Sequence, residues 1–319
     1  MVIIGVVFRP VRVSGPSMMP QLSAGQLIAV APTWLAPVGR HQVVVFREPD
    51  TGTVAVKRVV GLPGERIQLI SGDLFIDGSR YHRDVSGPRE LVPLVDAVGD
   101  EIKDYFGFNS APAIAMLVNV PYDGFLSNGE LHSGEMPASD ISICADFRLE
   151  QSGQIELVVR EGEHLFHASF DGLRAELKLG EVAWPPTVVN LPVEAGQLML
   201  AKLDQQIFLL LNGERILGPF SYPPAKTSTL ADVPVGPAFE QAGIGGEGVF
   251  FDRVRVGRDL FRAHGGTWAC VKELQLTENE YFLLGDNHQS SRDSRHYGPV
   301  SSDLLMGNAG VCWPQAGAR

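Results

Sequence analysis

Three short stretches carry side chains that can act on one another. The first, "VRVSGPSMMPQL" from Val11 to Leu22, sets Ser17 between Pro16 and Met18 just after an extended apolar run. Proline fixes φ and biases its predecessor to extended backbone, so Ser17 is held on a stiff, non-helical segment. A pre-positioned hydroxyl suits a nucleophile, and it suits an ordinary strand-to-turn junction equally well. A serine nucleophile also needs a base. Of the eight histidines only His288 and His296 lie near another polar cluster, and no Ser-His-Asp order stands out. The other available base is a lysine kept neutral by burial, because desolvation disfavours the ammonium. Lys57 in "TVAVKRVVGLPGE" is flanked by Val54, Val56, Val59 and Val60, and strand alternation puts Lys57 and Arg58 on opposite faces, one inward and the other toward solvent. An edge or snorkelling lysine is the competing reading. The third stretch, "GDNHQSSRDSRHYGPV" (285–300), offers Ser291 to brace a neighbouring lysine and an Asp293–Arg295 pair to hold the loop's shape. It also reads as a polar, turn-rich surface loop. A calcium site built from Asp286, Asn287, Asp293 and Asp303 lacks the required spacing and the closing glutamate.

These stretches need strands to carry them. "VVVF" (43–46), "TVAVKRVVGL" (53–62) and "IQLISGDLFIDG" (67–78) follow in quick succession, the last with Ser71-Gly72-Asp73 as a hairpin turn. Residues 91–113 read as a linker with a short helix. From 114 to 258 the texture changes: apolar segments recur about every ten residues, and Arg174, Glu176 and Lys178 alternate with Ala175, Leu177 and Leu179. Asn212-Gly213 sits between "IFLLL" and "ERIL" as a hairpin signal. This is the pattern of an antiparallel β-sandwich, and it resembles the concanavalin/laminin-G-like jelly roll. Trp184, Trp268 and Tyr222 there and nearby are candidates to stack on a sugar, against the ordinary alternative of buried aromatics. The first texture returns after Gly266. The fold class is therefore mainly β: one domain in two pieces, 1–90 and 266–319, with the sandwich 114–258 inserted through linkers 91–113 and 259–265. Insertions are best tolerated where chain ends lie close together at exposed loops.

Composition narrows the function. The 319 residues are 45% hydrophobic and 20% charged, and the formal net charge of −11 argues against a nucleic-acid partner, which calls for a basic face. Cys144, Cys270 and Cys312 are far apart, form no metal-binding pattern, and leave at least one thiol outside any intramolecular pair. The apolar residues 1–8 fall short of the roughly 20 that span a bilayer, and no basic segment precedes them. They are expected to be a first strand, the stub of an anchor or a surface-dipping edge.

"SGPSMMP", then "AVKRVVGLPGE", then "GDNHQSSRDSRHYGPV", in that order, resemble the bacterial type I signal peptidase family over about residues 6–82 and 268–314. These are membrane-associated Ser–Lys proteases that remove signal peptides from exported proteins. The resemblance implies Ser17 as nucleophile, Lys57 as general base, Ser291 as the serine that hydrogen-bonds the lysine, and Asp293 with Arg295 as the pair ordering the loop. Asp286 and Asn287 stand in the Gly-Asp-Asn signature, and the Ser17 backbone amide is the implied oxyanion donor. It also implies signal-peptide-bearing precursors cut after small residues, a membrane surface, a catalytic domain on the extracytoplasmic side, and no cofactor or metal. Val11, Val13, Met18 and Val56 are candidates to line small subsites, with ordinary core as the default. The chain departs from the family at Gly15, where some relatives place a second oxyanion donor and Ser14 is one residue out of register. It departs again at Gln21, Gln26 and His41-Gln42. Two rival readings are a soluble self-cleaving Ser–Lys protease of the repressor type and an inactive scaffold whose sandwich binds an unknown ligand.

Overall fold

The computed structural model describes residues 9–70, 72–87, 91–106, 114–116, 125–127, 130–132, 140–223, 229–230, 233–234, 240–259, 266–270 and 272–313. The apolar residues 1–8 lie outside them. The chain divides into two compact units, residues 1–81 with 262–319 and residues 82–261.

Runs of β-branched residues build the first unit. Its strands are β1 (Arg9–Arg12), β2 (Leu27–Ala31), β3 (Val43–Arg47), β4 (Val54–Gly61), β5 (Arg66–Ile70), β6 (Asp73–Ile76) and β7 (Ser79–Arg80), with Leu274–Gln275, Glu280–Leu284, Val300–Ser301 and Leu305–Trp313 added by the later segment. Seven of these form one sheet in the order β1, β2, Leu305–Trp313, β3, β4, Glu280–Leu284, Val300–Ser301; four form another, Leu274–Gln275, β5, β6, β7. Strand β3 is covered on both faces: Val45 packs with Val13, Met18 and Ile28, and Val44 and Phe46 pack with Val59 and Leu283. That accounts for its unbroken apolar sequence. The expected hairpin joins β5 to β6 in antiparallel register.

The second unit is organised by two long bent strands, Ile141–Glu161 and Glu240–Arg258, paired along most of their length with register shifts at Asp146/Phe147 and Leu149/Gln154. The first half of Ile141–Glu161 also pairs with Ala195–Leu203 and its second half with His164–Phe170. Between these surfaces lies an apolar core including Ile143, Phe147, Leu157, Phe166, Phe170 and Leu200, each at most 1% exposed. Fully burying one such side chain contributes about 1.5–3 kcal/mol. Arg174–Leu179 alternates as expected, with Ala175 and Leu177 buried. The turn at Asn212 (φ 52°) and Gly213 (φ 84°) joins Gln206–Leu211 to Glu214–Ser221. Positive φ at both positions is what a tight hairpin turn demands of its residues.

Residues 91–113, expected as a linker, contain the strand Val92–Val98, which pairs with Glu240–Arg258, and the helix Glu101–Phe106, which buries Ile102 and Phe106. The sequence between them is too short and too mixed for its periodicity to show. Trp184 stacks on Phe220 with ring centroids 4.8 Å apart, and Tyr222 is 6% exposed in the core. Their faces are taken by protein. Trp268 is partly exposed beside Gly298 in the first unit.

Candidate active site

Ser17 opens the turn that follows β1, half-buried, while its neighbour Met18 is anchored in the core at 1% exposure. The turn is closed by Met19 N–H donating to Pro16 O at 3.0 Å and Leu22 N–H to Met18 O at 2.8 Å. Apolar Met18 thus pins the backbone that presents a polar hydroxyl next door. Lys57 comes from the middle of β4 and is 4% exposed; its Nζ lies 2.7 Å from Ser17 Oγ and donates to Val56 O at 3.2 Å. Burial lowers the Lys57 pKa below its ordinary 10.5, outweighing the upward pull of Asp293, Glu48 and Asp286; Arg295 lowers it further. Among the described residues the Ser17 backbone N–H has no intramolecular acceptor.

The 285–297 segment folds around Asp293. This residue is fully buried, caps the short helix Ser294–Tyr297, and accepts from Ser291 Oγ at 2.7 Å, Gly285 N–H at 3.1 Å and Arg295 Nε at 2.8 Å. Burial pushes the Asp293 carboxyl up, but Arg295, Gly285 and Ser291 together bring it below its ordinary 3.8. Arg295 Nη2 also donates to His288 O at 3.1 Å. Ser291 therefore sits beside the site without bonding to Lys57, contrary to expectation. Its single proton goes to the carboxylate two residues away.

Arg58 corrects the simple inward–outward alternation. It is 9% exposed, so both Lys57 and Arg58 are buried. Its guanidinium donates to both oxygens of Asp286, through Nε at 2.7 Å and through Nη2, to the His41 carbonyl at 2.6 Å, and to Gln21 Oε1. Gln21 and His41, two of the departures from the family pattern, are thus partners of Arg58. Asp286 and Asp293 both spend their charge on guanidinium groups, which leaves the calcium reading without ligands. Asn287 holds the backbone at Ser17, donating from its N–H to Ser17 O at 3.0 Å and from its side chain to Pro16 O at 3.2 Å.

Gly285 is a residue that sequence reasoning passed over. A Cβ there would lie 2.2 Å from Ser291 Oγ and 2.6 Å from Ser17 O, so only glycine lets the loop approach the Ser17 turn. The unbroken run of valines around Lys57-Arg58 was the available signal for Arg58, since it marks a strand covered on both faces. Val13 and Met18 are buried core, with Val11 and Val56 packed partly buried against them. At Gly15 a side chain would meet no atom within 4 Å, and Ser14 is exposed.

The chain is similar to known proteins. The chain is 39% identical over 67 residues to signal peptidase I of Streptococcus pneumoniae, covering 21% of this chain and 32% of that protein. It is 32% identical over 104 residues to signal peptidase I of Bacillus licheniformis, covering 31% of this chain and 54% of that one. The chain therefore spans between about a third and about half of these relatives. A crystal structure of a signal peptidase I from Enterococcus faecalis aligns over 86% of this chain and 97% of its own at 14% identity, with a TM-score of 0.25, too low to bear on function. The model of the family described as signal peptidase, peptidase S26, matches residues 1–110 and 254–314, more than half of the sequence. The chain belongs to the signal peptidase S26 family.

Proposed function

We propose that the protein is a serine endopeptidase that removes signal peptides from exported precursors after small residues, with Ser17 as nucleophile and Lys57 as general base. The observation that carries this reading is the 2.7 Å between Lys57 Nζ and Ser17 Oγ, in surroundings that lower the lysine pKa. Neutral Lys57 takes the hydroxyl proton as Oγ bonds to the scissile carbonyl carbon and the carbonyl electron pair moves onto oxygen. The oxyanion accepts from the Ser17 N–H; one such donor is worth about 10²–10³ in rate. Collapse expels the amine, which takes the proton from Lys57 and leaves an acyl-enzyme. Water, deprotonated by Lys57, then releases the acid and restores Ser17. Asp293, Arg295, Asp286 and Ser291 serve by holding the 285–297 segment against the nucleophile's turn. By the family's chemistry, the substrates are signal-peptide-bearing precursors and the place of work is the extracytoplasmic face of the cell membrane. Among the described residues no helix is long and apolar enough to cross a membrane.

The test is cleavage of an Ala-x-Ala peptide, with lipid or detergent present, across pH. Ser17→Ala and Lys57→Ala are expected to lower kcat by at least about 10³. In the wild type, kcat rises with pH as Lys57 loses its proton, through a pKa below 10.5. Equal cleavage by all three proteins sinks the proposal.

A further inference from the structure

The turn that carries Ser17 and the strand that carries Lys57 are joined by a second side-chain bridge beside the first. Gln21 lies four residues after Ser17 on the same turn. Its Oε1 accepts from Nη2 of Arg58, the residue next to Lys57 on β4. The bridge therefore spans the same two elements as the 2.7 Å contact between Lys57 Nζ and Ser17 Oγ. Both of its ends are anchored. Arg58 is 9% exposed and is held by Asp286 through Nε at 2.7 Å and by the His41 carbonyl through Nη1 at 2.6 Å. On the turn, Met18 and Leu22 are buried in one cluster with Ile28 and Val45. A bridge between two packed elements fixes their separation, which a contact between mobile side chains does not.

The chemistry of position 21 favours an amide. Arg58 already meets both oxygens of Asp286, so its charge is balanced and its further N–H groups call for a neutral acceptor. An amide oxygen is one. A carboxylate would bond the guanidinium more strongly, but it would add negative charge close to Lys57. Asp286, on the same guanidinium, is already felt at Lys57 and pulls its pKa upward; a second carboxylate there would favour the ammonium further. We infer that Gln21 is a positioning residue, which by accepting from Arg58 holds the Ser17 turn at the separation from β4 that lets the hydroxyl meet Lys57.

This inference rests on the Ser17–Lys57 peptidase reading. Its test measures kcat, KM and the pH profile of Ala-x-Ala peptide cleavage by the full chain, with lipid or detergent present, for the wild type, Ser17→Ala, Gln21→Met and Gln21→Glu. Gln21 is exposed, so both of its variants are expected to fold, which urea unfolding checks. Gln21→Met keeps the length and loses the acceptor: kcat is expected to fall about tenfold, with KM and the pH midpoint little changed. Gln21→Glu keeps the acceptor and adds a charge: kcat at high pH is expected to stay within about threefold of the wild type, while the midpoint of its rise moves to higher pH. A merely structural role would not split the two variants in this way. The inference is overturned by wild-type kcat in Gln21→Met, by Gln21→Glu as slow at high pH as Gln21→Met, or by a midpoint that Gln21→Glu leaves in place. Cleavage that survives Ser17→Ala removes the peptidase reading and this inference with it, whereas cleavage lost in Ser17→Ala and intact in Gln21→Met removes this inference alone.

Discussion

Among the described residues each unit buries one lysine almost completely, and the two show how little burial alone decides. Lys57 is 4% exposed and Lys202, on Ala195–Leu203, is 1% exposed. Lys202 has two carboxylates close by, Asp140 at 3.7 Å and Glu161 at 3.5 Å, and direct ion pairing stabilises its ammonium. Lys57 meets a hydroxyl at 2.7 Å, and its nearest carboxylate help is already engaged: Asp293 by Arg295, Asp286 by Arg58. Burial then prevails and the lysine pKa falls. The same residue type in the same kind of strand is an ion pair in one place and the neighbour of a lone hydroxyl in the other. The neighbour makes the difference.

Exchanging the two lysines for methionine gives the sharpest test. Lys57→Met should abolish peptide cleavage, a loss of at least about 10³, with unfolding by urea little changed. Lys202→Met should leave cleavage intact and cost about 3–5 kcal/mol of stability, because two carboxylates lose a buried partner. The reverse outcome breaks the contrast. Asp293→Asn should cost about 3–5 kcal/mol by stranding Arg295, which is 2% exposed. Because the Asp293 pKa is lowered on folding, its contribution is complete above the ordinary value of 3.8 and is lost as pH falls through the folded value. The asparagine variant should therefore show a flatter fall of stability in acid. Gly285→Ala drives a methyl group toward Ser291 and the Ser17 carbonyl; an ångström of displacement at the nucleophile should cost about 10² in kcat, with only about 1–3 kcal/mol in stability. Smallest is Arg292→Ala. This half-exposed side chain pairs with Glu48 at 3.3 Å and with Asp50, and its loss should cost less than about 1 kcal/mol and leave kcat within twofold, read by urea melts and the same peptide assay.

Much of this was legible in the sequence. Proline and methionine around Ser17, valines around Lys57 and the Asp293-Ser-Arg295 spacing each announce a local geometry, and local geometry is what sequence patterns report. The Asn212-Gly213 turn is legible for the same reason, since few residues tolerate positive φ. What escaped depends on groups far apart in the chain. Arg58 is buried only because Asp286 meets it from 228 positions away. Ser291 gives its proton to Asp293, and where a hydroxyl points is something spacing alone does not report. The strand Val92–Val98 looked like linker because its partner, Glu240–Arg258, comes so much later. The pairs Arg253–Asp96 and Arg255–Asp146 escaped likewise, since they meet only through strand register.

The strand Leu305–Trp313 lies between β2 and β3, although both of those emerge from the ribosome before the whole second unit is made. Synthesis proceeds at about 5–20 residues per second, so the gap between them stays open for roughly 10–50 seconds. Throughout that interval Ser17 and Lys57 exist, but the sheet of the first unit is unfinished. The order of translation thus acts as a timer on completion of this sheet.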